Sequence, residues 1–81
     1  MTKLERWADT CRRVRKKAVK LGRVVAAVTA CPDQAHDGQW EIVVGYPVDS
    51  SVTHDRVFRR RADAMAFAAG LETNGGQPCS Q

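Results

Sequence analysis

The chain has 81 residues, 43% hydrophobic and 27% charged, with 13 Lys and Arg against 9 Asp and Glu and a formal net charge of +4. That length makes one domain, with little room for both a core and a deep substrate cleft. The composition is that of a globule rather than a disordered chain, and no apolar run approaches the roughly 18–20 residues that span a bilayer.

The first predicted element is a helix. Thr2 and Glu5 have capping-box spacing, so each satisfies a free backbone N–H at the helix start. Leu4, Trp7, Cys11, Val14, Ala18 and Leu21 then recur at alternating steps of three and four, which draws one apolar stripe. Gly22 follows as a left-handed C-cap. Arg23 to Cys31 reads as a strand stopped by Pro32. PDQAHDGQ is a polar connection. Trp40 to Tyr46 is a second strand, with Trp40, Ile42, Val44 and Tyr46 alternating onto one face. PVDSS is a turn-rich link. Thr53 to Arg59 is a third strand without a clean apolar face, which suits a sheet edge. A second helix runs from about Ala62 to Glu72, with Ala64, Phe67, Ala68 and Leu71 on one side.

The expected fold is therefore α+β in the order α-β-β-β-α. Short links favour a three-stranded antiparallel sheet, with two helices packed on one face and the other face partly solvated. Residues 1–72 form the single domain, and 73–81 read as a flexible C-terminal tail. The start TKLERWAD lacks the apolar stretch of a secretory signal, so a cytoplasmic setting is expected. Cys11, Cys31 and Cys79 are odd in number and irregular in spacing, which agrees with a reducing compartment. Cys11 reads as a small buried hydrophobe, and Cys79 as a free thiol in the tail.

Charge is segregated along the chain. Every Lys and Arg falls in Lys3 to Arg23 or Arg56 to Arg61, and Val24 to Asp55 holds five acids and no Lys or Arg. On the first helix, Arg6, Arg12, Arg13, Lys16, Lys17 and Lys20 occupy the arc opposite the apolar stripe, with Asp9 in reach of Arg12 or Arg13. Arg56, Arg59, Arg60 and Arg61 form a second cluster, where Arg suits bidentate contact with phosphate or carboxylate. Each cluster is also readable as an ordinary solvated surface, with aliphatic stems covering the core.

Other chemistries are poorly supported. Cys31, His36, His54 and Cys79 lack metal-ligand spacing. Ser50, Ser51, His54 and Asp55 contain the letters of a triad but read as a turn. Gly75-Gly76 has no following Gly-Lys-Ser/Thr and is no phosphate loop. Asp33, Asp37 and Asp49 read as loop solubilisers. Trp7 and Trp40 read as core anchors, and Tyr46 is open. No catalytic residue, metal or cofactor is expected.

Phe58, Arg61, Asp63, Ala64 and Phe67 follow one another in the order and spacing of a local pattern. The segment resembles part of the arm-type DNA-binding domains of phage-type integrases, and is similar to the strand–helix junction of double-stranded RNA-binding domains. In size and architecture the chain also resembles small inhibitors of phages and mobile elements, including anti-CRISPR proteins. These resemblances imply a non-enzymatic protein that engages a nucleic-acid-dependent machine by occupying a nucleic-acid or subunit surface. In that reading the acids Asp33, Asp37, Glu41, Asp49 and Asp55 mimic phosphates while the basic helix grips an acidic patch. The alternative is direct binding of double-stranded DNA or RNA through the first helix and Arg56–Arg61. The expected partner is a protein of a nucleic-acid-processing complex or nucleic acid itself, with no membrane, and the chain acts as a monomer or homodimer.

Overall fold

The computed structural model describes residues 2–75. The elements are α1 (Lys3–Leu21), β1 (Val25–Ala30), a 3-10 turn (Gln34–His36), β2 (Trp40–Gly45), β3 (Val52–Phe58) and α2 (Arg61–Thr73). The α+β class, the element order and the antiparallel sheet are those the sequence implies, with strand order β1-β2-β3. Thr73 closes α2, and residues 76–81, including Cys79, lie outside the described residues.

Helix α1 begins at the capping box. Glu5 N–H donates to Thr2 Oγ1 at 3.1 Å, and Thr2 N–H donates to Glu5 Oε1 at 2.9 Å. It ends at Gly22, whose φ of 68° is the left-handed C-cap conformation that glycine adopts without steric cost. The buried side of α1 is narrower and shorter than the apolar period suggests. Thr10, Val14 and Ala18 are buried, whereas Leu4 and Leu21 are 61% and 45% exposed. A 19-residue helix is about 28 Å long, and a six-residue strand only about 20 Å, so both helix ends overhang the sheet. Thr10 tolerates burial because its hydroxyl donates to the Arg6 carbonyl at 2.8 Å.

The two helices do not share a face of the sheet. Ile42, Val43 and Val44 are successive residues of β2 and are 0%, 0% and 1% exposed. Successive strand residues point to opposite faces, so both faces are covered. Ile42 and Val44 pack with Ala64, Ala68 and Leu71 of α2, and Val43 packs with Val14 and Ala18 of α1. The expectation of two helices on one face and a wet second face is thereby corrected. The reason is parity. Val25, Ala27, Val43 and Val52 give one face an apolar surface that takes α1, and Ala26, Val28, Ile42 and Val44 give the other face one that takes α2.

Two details set the sheet edges. Pairing passes from Glu41↔Val57 to Val43↔His54, which leaves Asp55 and Arg56 together opposite Ile42 as a bulge in β3. On the other edge, the Ala26 N–H donates to Glu72 Oε2 at 2.8 Å, and Arg23 Nη1 lies 3.9 Å from Glu72 Oε1. The last turn of α2 thus covers part of the β1 edge.

Candidate functional site

The outward side of α1 carries Arg6, Arg12, Arg13, Lys16, Lys17 and Lys20, all exposed. Asp9 faces two of them, 3.2 Å from Arg12 and 3.0 Å from Arg13. Among the described residues no carboxylate pairs with Arg6, Arg15, Lys16, Lys17 or Lys20. The helix position explains this arrangement, because the sheet takes the opposite side of α1 and leaves the basic arc to solvent.

Arg56 and Arg61 of the second cluster lie across the sheet from α1. The Arg56 guanidinium sits 4.4 Å from the Phe67 ring centroid, and that of Arg61 is 5.7 Å from the Trp40 ring centroid. Both aromatic side chains belong to the α2 side of the core. Arg56 and Arg61 therefore cover aromatic surface, as cation–π partners with their stems over the core. Arg59 and Arg60 are exposed, and Arg60 occupies the N-cap position of α2 without a side-chain cap. Phe58 and Phe67, the ends of the integrase-like segment, contact each other at 5.5 Å between ring centroids. Folding thus separates Arg56 and Arg61 from the basic side of α1 by the sheet and by α1 itself.

The acids of the middle segment are mostly engaged locally. Asp33 caps the 3-10 turn by accepting from the Ala35 N–H at 3.0 Å. Asp37 pairs with Lys3, and Asp49 accepts from the Ser51 N–H at 3.1 Å. These bonds hold the Asp37 and Asp49 carboxyls below the ordinary value, in the first case through the Lys3 hydrogen bond and then its charge, in the second through hydrogen bonds from Ser51. Asp55 stands exposed at the β3 bulge.

Glu41 is the residue whose place the sequence did not disclose. Its side chain is only 14% exposed. Trp7 Nε1 donates to Oε2, and His54 Nδ1 lies 2.8 Å from that same oxygen. Cys31 Sγ is 3.8 Å from Oε1. The Trp7 and His54 rings stack at 4.9 Å between centroids with planes 20° apart. One carboxylate oxygen therefore pins two stacked aromatic rings, one from α1 and one from β3. His54 belongs to this cluster and not to a turn, and Trp7 lies at the margin of the core. The available signal was parity: Glu41 and Val43 share a face of β2, and His54 is the β3 residue opposite Val43.

The cluster opens onto a groove of about 330 Å³ between α1 and β3. Trp7, Cys11, Val52 and His54 line its apolar part, and Arg12 and Arg15 its charged margin. Burial pushes the Cys11 thiol up, and the Glu41 charge adds to that. Cys11 is thus held protonated, as suits a packing residue rather than a nucleophile. Among the described residues no group of three or more His, Cys, Asp and Glu is placed to hold a metal ion. No described helix is long and apolar enough to cross a membrane.

Comparison with protein-family models, curated proteins and solved structures finds no match to this chain.

Proposed function

We propose that this chain is a non-enzymatic binding module that engages nucleic acid through the outward face of α1. The observation that carries this reading is the row of exposed cations on that face, opposed among described residues by Asp9 alone. From Arg6 to Lys20 the helix rises about 21 Å, enough to follow a duplex backbone over several phosphates. Affinity comes from release of condensed counterions and carries no base information by itself.

A protein that occupies a site on a nucleic-acid-processing machine, as phage-type anti-CRISPR inhibitors do, would use the same basic face on an acidic patch. Its second element, phosphate mimicry by the acidic middle, has less support. Asp33, Asp37, Glu41 and Asp49 are held by partners within the fold. Direct contact with nucleic acid is the better-supported reading.

A salt titration against a bare duplex tests it. The logarithm of affinity should fall linearly with log salt, with a slope of up to about −5 if six cations engage. Lys16→Glu with Lys17→Glu should weaken binding and flatten that slope, while Arg56→Gln, whose guanidinium lies over Phe67 on the α2 side of the sheet, should have a smaller effect. No detectable duplex or single-strand binding at low salt removes the reading.

A further inference from the structure

The groove beside the Glu41 cluster has the chemistry of a site for one flat, anionic ligand. Its apolar wall contains an aromatic pair whose orientation is set before any ligand arrives. Trp7 and His54 both contact Glu41 Oε2, and that carboxylate is itself buried between β2 and the groove wall. A pinned ring loses little freedom when something stacks on it, which favours binding through preorganisation. The wall is completed by Cys11 and Val52, which present no hydrogen-bonding demand on a planar partner.

Charge selects among flat ligands. Arg12 and Arg15 line the same groove and are exposed. Arg12 shares Asp9 with Arg13, and Arg15 has no carboxylate partner among the described residues. No Asp or Glu lines the groove itself, and the Glu41 carboxylate behind its wall is turned to Trp7 Nε1 and His54 Nδ1. A volume of about 330 Å³ lies at the lower end of the range for small-ligand sites, suited to one base and its sugar-phosphate. The groove also borders the basic face of α1 through Arg12, so a strand following that face passes its mouth.

We infer that the α1–β3 groove takes one unpaired nucleotide, with its base against the Trp7–His54 pair and its phosphate at Arg12 and Arg15. This rests on the nucleic-acid reading and sharpens it, because a paired base inside a duplex has no free face to offer. The module then favours single-stranded segments, ends or flipped nucleotides over intact duplex. Arg15 is the positioning cation, and Glu41 acts only by holding the two rings.

The test uses the full chain labelled with 15N, in which the two tryptophans give two indole N–H signals. Trp40→Phe identifies the Trp7 signal and is needed for nothing else. Oligothymidine, a blunt duplex, adenosine monophosphate and inorganic phosphate are titrated separately at low salt. The expected result is a saturable shift of the Trp7 indole with the single strand, little change at Trp40, and no Trp7 shift with phosphate alone. Arg15→Gln should weaken the single strand by about tenfold, the loss of one charge-assisted contact, with an unchanged circular dichroism spectrum. A Trp7 shift with adenosine monophosphate as strong as with the strand supports the site and identifies free nucleotide as its ligand. Binding of the strand that moves only the Lys16 and Lys17 backbone amides, with the Trp7 indole still, overturns the groove site but leaves the polyanion reading intact. Equal Trp7 shifts with the blunt duplex overturn the requirement for an unpaired base. No binding by any nucleic acid overturns both readings together.

Discussion

Gly45 of β2 lies directly beneath Val14 of α1. A Cβ built on the glycine would sit 2.7 Å from Val14 Cγ1 and 2.8 Å from the Val14 carbonyl oxygen. The missing side chain lets the helix backbone approach the sheet. Gly45→Ala should therefore destabilise the fold by about 1–3 kcal/mol through overpacking, since one of the opposing atoms is backbone and cannot swing aside. A shift of the urea midpoint to lower concentration at unchanged slope checks this. A neutral result would mean that α1 moves freely on the sheet.

The two-sided burial of β2 makes a separate prediction. Val43→Thr and Val44→Thr should each cost about 1–3 kcal/mol, because each places a hydroxyl in an apolar contact, one under α1 and the other under α2. Ile42→Ala should cost about 2–5 kcal/mol. If only one face were covered, Val43→Thr and Val44→Thr would differ sharply, with one close to wild type. Urea denaturation of the three variants decides between these outcomes.

Loss of the Glu41 carboxylate should be felt in two elements at once. Glu41→Ala removes the acceptor of Trp7 Nε1 and the partner of His54 Nδ1. Leaving those groups unsatisfied at a half-buried site should cost about 1–3 kcal/mol. Glu41→Gln keeps an amide oxygen as acceptor and should cost less. Trp7 indole chemical shifts should move in both variants, and Trp40 should report little. Equal stability of Glu41→Ala and wild type would show that the contact does not hold α1 to β3.

Acid should weaken the fold in a definite direction. Glu5 is held below its ordinary value, first by the Thr2 backbone N–H and then by the Thr2 side chain. Asp37 and Asp49 are lowered by Lys3 and Ser51. A carboxyl whose folded value lies below its unfolded one stabilises fully above the unfolded value. That stabilisation is lost as pH falls through the lowered folded value. Thermal midpoints should be level at neutral pH and drop once the pH goes below the ordinary carboxylate range. Glu5→Gln and Asp37→Asn should each start lower at neutral pH and fall less steeply. Parallel acid curves for wild type and both variants would contradict this account.

Particular residues show how much was legible before folding was considered. Thr2, Glu5 and Gly22 mark the ends of α1 by local chemistry, so spacing alone located them. The strands were legible from Val-rich runs bounded by Pro32, Pro47 and polar links. Leu4 and Leu21 fit the same helical period as Val14, yet only Val14 is covered, because period says nothing about where a sheet ends. Glu41 and His54 lie 13 positions apart, and only strand register brings them to one oxygen. The cations of α1 were legible as a face. Their separation from Arg56 and Arg61 was not, since it depends on which side of the sheet each helix takes.

What the sequence by itself determined is the set of elements, their order, and the basic arc on the first helix, because caps, turns and periodicity act within a few residues. What only the tertiary structure decided is the placing of one helix on each face and the joining of Trp7, Glu41 and His54. Those outcomes depend on contacts between distant segments. Apolar residues of both parities in the strands give each face a helix to bury, which sends Arg56 and Arg61 away from α1 and leaves the α1–β3 groove open.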